Sequence, residues 1–460
     1  MLDTATPERK SLKSDKGGGI RRFFAACTAT ALVLLTGLDA RAMELSFEDA
    51  LDLAHRHAVE LQSLAAEEAV AEAGHTRSAQ VFLPRLTADA TWLRADSSFI
   101  NDITLPTLTL PPRLVSRDFG PVEGTFTALQ VVQPLVNVDG WKVRKQAGLG
   151  VETRRLAREW GAEMVRLETA RRYFAVAVGE YAVSAGVMAV EAARQAHESA
   201  RRAYEEGFVA RLDVLRANTE YETSRARLME ARGDLHEART DLATFLGLPS
   251  REDLILTSDL PRPQPPTEVF PAAPRKDLLA METRVEAAAA GLERAGARWL
   301  PRVNFLARRQ WFDSSKPIDT DSDSWVVAVN LQWTLFAGMD RQGDIAEERA
   351  RTSLSRIELS QARREATREQ EIASSAWHVG WSAWQASNLA LESASTAANL
   401  ARRQYEEGLG NMTDLLAAQA ILHQTRLEHV RHQYRALVAS MSAYLSHGRD
   451  PLLALSGERP

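Results

Sequence analysis

The sequence predicts a mainly α-helical protein with a membrane β-barrel component, a tandem repeat of long helical hairpins with four strands per chain. Three observations predict it. The block Ala200-Arg201-Arg202-Ala203-Tyr204-Glu205-Glu206-Gly207 returns as Ala401-Arg402-Arg403-Gln404-Tyr405-Glu406-Glu407-Gly408, an offset of 408 − 207 = 201 residues. Two stretches, 141–206 and 340–407, hold no proline and can each carry about 100 Å of helix. Four segments read as strands, and two of them, 86–92 and 324–335, alternate residues with the period of two of a strand that has one apolar face.

The duplication extends beyond that block. Asp213, Leu215 and Ala217 match Asp414, Leu416 and Ala418. Leu83-Pro84-Arg85 and Leu135-Val136 are echoed in the same order by Leu300-Pro301-Arg302 and Leu335-Phe336. A unit of about 200 residues repeated in tandem accounts for this register. Between the units, Pro261, Pro263, Pro265, Pro266, Pro271 and Pro274 take six of the 18 prolines and mark an extended linker. The expected division is a signal peptide at 1–42, a first repeat at 43–260, the linker at 261–275, a second repeat at 276–450 and a tail at 451–460.

The leader has the order of a secretory signal. Arg9, Lys10, Lys13, Lys16, Arg21 and Arg22 precede an apolar run at 23–38 and the small-x-small site Ala40-Arg41-Ala42. Cys27 is the single cysteine and stands near the start of that run, where a lipoprotein cysteine would end it. One cysteine excludes an internal disulfide framework, a zinc finger and an iron–sulfur cluster. The chain carries 56 basic and 61 acidic side chains; removing the 7 and 4 in the leader gives 49 − 57 = −8. That balance argues against a nucleic-acid binder. No later run of about 18 apolar residues is expected to cross a membrane as a helix. Strands of about 10 residues could still cross an outer membrane.

The elements follow in order. Ser46 and Asp49 form a capping box for an Ala- and Glu-rich helix that runs through 46–83 to Pro84. In strand 86–92, Leu86, Ala88, Ala90 and Trp92 oppose Thr87, Asp89 and Thr91. Segment 125–136 is the second strand. In the long helix, Leu149, Leu156, Trp160, Met164, Leu167, Phe174, Val178, Tyr181 and Met188 form a heptad-like seam. Gly207 ends it, and Asp213 stands ready to start a return helix that stops at Phe245-Leu246-Gly247-Leu248-Pro249. The second repeat opens near Asp277 and stops at Pro301. Segment 303–311 is irregular, because Arg308 and Arg309 cannot both face lipid. Strand 324–335 is the cleanest: Trp325, Val327, Val329, Leu331, Trp333 and Leu335 oppose Ser324, Ala328, Asn330, Gln332 and Thr334. Gly408 and Asp414 repeat the hairpin turn. The opening and return helices, roughly 57 and 50 Å, add up to one long helix, which predicts a layered tube wall. Four strands cannot close a barrel, about eight being the minimum, so a membrane reading requires several chains to share one.

No enzymatic constellation accompanies these elements. His423, His429 and His432 lie on the final return helix and His55 and His57 near the start, without a His-Glu-x-x-His pair. They are expected to be surface histidines. No phosphate loop, nucleophile elbow or dinucleotide fingerprint stands between a strand and a helix. No catalytic residue, cofactor or metal site is expected.

With these motifs in place, the chain resembles the TolC-like outer-membrane efflux protein family (outer membrane factors). The resemblance rests on Leu45-Ser46-Phe47-Glu48-Asp49-Ala50-Leu51, the Leu-Pro-Arg before the first strand of each repeat, and Pro134-Leu135. It rests also on the paired Tyr-x-x-Gly-x5-Asp-x-Leu hairpins and on Leu246-Gly247-Leu248-Pro249. It covers residues 44–450 and depends on the order and duplication of motifs that are individually weak. It implies a homotrimer with one 12-stranded barrel in outer-membrane lipid, continued by a helical tunnel across the periplasm of a Gram-negative bacterium. It implies a passive exit duct for tripartite efflux or type I secretion, working with a periplasmic adaptor protein and an inner-membrane transporter, with no nucleic acid involved. By the same resemblance, the turns Gly207-Phe208-Val209 and Gly408-Leu409-Gly410 dock the adaptor. Asp414 matches a position that contributes an acidic ring at the closed periplasmic mouth. Ala417 holds the next such position and is not acidic, which weakens the ring. The residues leave open whether Asp414 caps a helix, charges the lumen, or does both. The competing reading is a periplasmic coiled-coil adaptor without its own barrel; two hairpins and two strand pairs weigh against it.

Overall fold

The computed structural model describes residues 43–95, 122–248, 254–267, 270, 273–314 and 322–456. The signal peptide and Cys27 lie outside the described residues. The first repeat runs β1 (Met43–Leu45), α1 (Phe47–His57), α2 (Val59–Ser78), β2 (Arg85–Ala95), β3 (Val122–Val136), α3 (Val138–Glu205), α4 (Arg211–Phe245) and β4 (Leu254–Leu256). The second runs α5 (Lys276–Ala297), β5 (Arg302–Ser314), β6 (Ser322–Gln332), α6 (Asp340–Glu406), α7 (Met412–Ser446) and the short α8 (Leu453–Ser456).

The two long helices fall where the proline-free stretches put them. α3 has 68 residues and α6 has 67, so each is about 100 Å long. The end-to-end arrangement also holds: α2 and α4 both pack along α3, and α5 and α7 both pack along α6. α3 contains one 18-residue window of mean hydropathy 1.5, against the expectation that no such stretch follows the leader. It belongs to a helix that packs against α1, α2, α4, α5 and α7 and that buries Tyr173, Phe174 and Val176 in the core.

Each hairpin helix ends in the same backbone lock. Phe208 N–H donates to Ala203 O (2.8 Å) and Gly207 N–H to Tyr204 O (3.0 Å), and Leu409 and Gly408 bond identically to Gln404 and Tyr405. These are Schellman closures, which need a left-handed residue; Gly207 sits at φ +83° and Gly408 at φ +72°. Leu248 and Arg449 close α4 and α7 in the same way after Gly247 and Gly448, again 201 residues apart.

The opening helix is two helices, not one. The Ser46–Asp49 capping box is present, but the chain turns at Ala58 (ψ 121°) between α1 and α2. Alanine there has no local reason to break a helix. Gly247 abuts His57 at this point (3.1 Å from an added Cβ), and Gln62 Nε2 caps the freed Arg56 carbonyl at 2.9 Å. Tertiary packing therefore sets the break.

The core lies at mid-height, where the repeats meet. Tyr173, Phe174, Trp377, Leu437 and Met441 are fully buried there. Tyr173 donates to Leu45 O (2.9 Å) and accepts from Ser258 N–H (3.1 Å), fixing the parallel β1–β4 pair. The proline-rich segment is extended but docked. Trp377 Nε1 donates to Gln264 O (3.1 Å), Gln433 Nε2 to Leu260 O and Pro261 O, and Phe270 stacks on His447 with ring centres 4.1 Å apart.

Candidate functional site: an open sheet and two hairpin tips

The four strands form one antiparallel sheet in the order β2-β3-β5-β6. Register assigns each side chain to a face, because residues directly opposite on paired strands point the same way. Trp325, Val327, Val329 and Leu331 of β6 oppose Arg309, Ala307, Phe305 and Val303 of β5. Those in turn share a face with Leu129, Val131, Leu86, Ala88 and Trp92. This is the more exposed face: Val329 is 66% exposed, whereas Ala128 on the other side is 5% exposed. The opposite, inner face carries Thr87, Asp89, Gln130, Asn304, Arg308, Gln310 and Asn330. Arg308 thus turns inward. Arg309 turns outward at the far end of the sheet, where it grips Asp323 with both guanidinium arms (2.7 and 3.2 Å) and covers Trp311 at 5.2 Å. The predicted faces hold, but β6 ends at Gln332. Trp333 and Leu335 leave the strand, because Trp333 Nε1 bonds Trp299 O (3.1 Å) and Arg341 bonds Thr334 O.

Exposed aromatic residues mark both ends of the apolar band. Trp92 and Trp325, with Trp311, form one girdle; Phe82, Trp299, Trp333 and Phe336 form the other, beside the helices. That arrangement matches the two interfaces of a bilayer. Pro134, which has no N–H to give a ladder, sits at a bulge: Pro134 pairs with Asn304, Val136 with Val303, and Leu135 is skipped. The second Leu-Pro-Arg also gains a function. Arg302 clasps Asp139 in the first turn of α3, joining sheet to helices.

The other end holds the two turns. Phe208 and Leu409, equivalent by the 201-residue offset, are each 79% exposed. A groove of about 800 Å³ runs between the tips, lined by Phe208, Val209, Gly408 and Gly410 with Tyr405 and Leu415. Asp414 is not the helix cap. Asn411 is, its side chain accepting from Asp414 N–H at 2.8 Å, while Asp414 Oδ2 accepts from Asn411 Nδ2 at 2.7 Å. Asp414 is exposed in the third helical position. Sequence reasoning missed a bond across the tips: Arg216 Nη1 of α4 donates to Thr413 Oγ1 of α7 at 3.0 Å. Beside it, burial and then the Asp213 charge raise the Tyr405 phenol above its ordinary range. Neither contact carries a sequence signal, since the partners come from different hairpins. Among the described residues no cluster of three or more His, Cys, Asp or Glu side chains could hold a metal ion.

The family model described as outer membrane efflux protein matches residues 50–248 and 272–449. No curated protein matches the sequence significantly. Among solved structures, the chain is similar to the outer membrane protein VceC of Vibrio cholerae, at 16% identity and TM-score 0.72 over 88% of this chain and 96% of that one. It is similar also to the MtrE outer membrane channel of Neisseria gonorrhoeae, in its open state (17%, TM-score 0.71, 88% and 89%), and to the CmeC outer membrane channel of Campylobacter jejuni (14%, TM-score 0.70, 88% and 86%).

Proposed function

The chain belongs to the outer membrane efflux protein family, and from that premise we propose how it assembles into a duct. It is an outer-membrane efflux channel with a periplasmic helical extension. The observation that carries the proposal is the open four-stranded sheet, apolar outside and polar inside, with β2 and β6 as unpaired edges. Unpaired edges in lipid are too costly to persist, so neighbouring copies cover them. Two copies give eight strands, whose interior side chains fill it; three give twelve and leave room for a lumen. Three copies are therefore the smallest assembly that conducts. The reading without a barrel gains no support from this sheet.

The tips serve the periplasmic end. The groove beside Phe208, Val209, Gly408, Leu409 and Gly410 takes the adaptor, and Asp414 lines the mouth that Arg216 and Thr413 hold together. The inner-membrane transporter supplies the energy. Outer-membrane fractionation and the native mass of the purified protein test the assembly. A trimer in the outer-membrane fraction is expected; a monomer, or a soluble periplasmic species, overturns it.

A further inference from the structure

β5 carries two arginines in succession, and the sheet treats them oppositely. Arg309, on the exposed face, is neutralised by Asp323 and covers Trp311. Arg308, on the inner face, has no carboxylate beside it. Directly opposite it stand Gln130 of β3 and Val326 of β6, and along its own strand Leu306 and Gln310. The diagonal positions on β3 and β6 hold only alanine, valine and serine. The Arg308 Nε is shielded from solvent and bonds to nothing among the described residues.

Closing the ring does not change this. β5 is an inner strand, flanked by β3 and β6 of the same chain. Among the described residues the inner face of the sheet holds one carboxylate, Asp89, on β2 and two strands away from Arg308. When β6 pairs with the β2 of the next copy, β6 still stands between Arg308 and that strand. Arg302, the other arginine that β5 turns inward, is already held by Asp139.

A guanidinium without a counter-charge, set beside two carboxamides, suits an anionic oxygen group. Rings of such side chains make pores that favour anions. Two layers farther from the helices, about 13 Å along the strand, Phe312 and Phe126 pair on the same face with ring centres 4.5 Å apart. The Phe312 ring fills the space over Gly124, where an added Cβ would come within 2.6 Å of it, so the ring lies along the wall. Resting on the duct reading above, we propose that Arg308, Gln130 and Gln310 form an anion-binding site on the inner wall of the barrel, one per copy. Its ligand is an amphiphilic organic anion in transit: the carboxylate, sulfonate or phosphate group meets Arg308 while the apolar part lies on Phe126 and Phe312.

The test sets a thiol on the wall beside Arg308. Val326→Cys is the inner-face reporter and Val327→Cys its outer-face control, each in the purified, reconstituted full chain with Cys27→Ser. Rates of modification by sulfonatoethyl and trimethylammonioethyl methanethiosulfonate are compared, and their ratio cancels any change in the thiol's own reactivity. Arg308→Gln should lower the sulfonate-to-ammonium ratio about fivefold, and Arg308→Lys should keep most of it. Naphthalenesulfonate should slow the modification and naphthylmethylammonium should not. That protection should be lost in Arg308→Gln and weakened in Phe312→Ala. An unchanged ratio in Arg308→Gln, or equal protection by the two naphthyl probes, overturns the site. An inner-face thiol that neither reagent reaches, beside a reactive outer-face control, overturns the face assignment and with it the duct reading.

Discussion

Val329 and Asn330 are neighbours in sequence with opposite solvents. Val329 is on the exposed face near mid-strand and Asn330 on the inner one. Val329→Arg places a charge in hydrocarbon and should cost about 2–4 kcal/mol of barrel stability. Asn330→Arg should be far milder, and heat-modified mobility of the assembled protein measures both; equal losses would reverse the assigned faces. At the opposite end, Asn411 rather than Asp414 caps α7, so Asn411→Ala should cost about 1 kcal/mol locally. Asp414→Ala removes only a side-chain acceptor of that cap. If it lines the mouth as proposed, its main effect should be on ion flow: weaker cation block in single-channel recording, with unchanged yield of the assembled protein. Unchanged conductance and block would leave Asp414 a structural neighbour of the cap and remove it from the mouth.

Elements are joined by contacts at their ends and by small residues along their length. Gly408 closes α6 in a left-handed conformation with open space around it. A side chain there is opposed by the backbone, at about 1–2 kcal/mol, and not by neighbours. Gly408→Val should therefore disturb the tip and adaptor binding while the barrel, about 100 Å away, assembles normally. Gly380 is the contrary case: a side chain would meet Ala436 backbone at 3.0 Å. Gly380→Leu should cost about 1–3 kcal/mol by overpacking and separate α6 from α7 along their length. Crosslinking yield to an adaptor for the first variant, and thermal unfolding for the second, check these expectations.

Across the whole molecule, the bonds that join helices are unevenly placed. On the sheet side of the core, α2 is tied to α3 by Arg154–Glu67 and Arg158–Glu68, both 2.6 Å. In the same region α3 is tied to α5 by Lys142–Glu293 (2.7 Å), and α5 to α6 by Arg294–Glu348 and Arg363–Glu282 (2.8 Å each). Toward the tips, Arg239–Glu180 just below the core is a lone counterpart among the described residues, and most other pairs lie within one helix. Exposed pairs add little stability singly, but they do fix helix register, and the tips have almost none. Hydrogen exchange should therefore be slowest around Trp377 and Met441 and fastest at both turns. Trp377→Ala, at the core, should cost about 3–5 kcal/mol and destabilise both repeats together.

What the sequence determined by itself was whatever is local or periodic. A missing proline fixes the long helices, a glycine after Tyr-Glu-Glu fixes their ends, and alternation fixes the strand faces, because each depends on a few adjacent residues. The duplication was visible at Gly207 and Gly408 for the same reason. What only the tertiary structure decided depends on residues far apart in the chain. The break at Ala58 comes from Gly247, the end of β6 from Trp299 and Arg341, and the inward turn of Arg308 from its pairing with Gln130. The Arg216–Thr413 bond joins two hairpins, and the Ser387–His429 bond sets a helix against its return. The histidines expected on the surface show the limit plainly. His423 and His429 carry no local sign of burial, and only the packing of α7 on its neighbours makes them half-buried. Burial is a property of the assembled helices, so no short stretch of residues could state it.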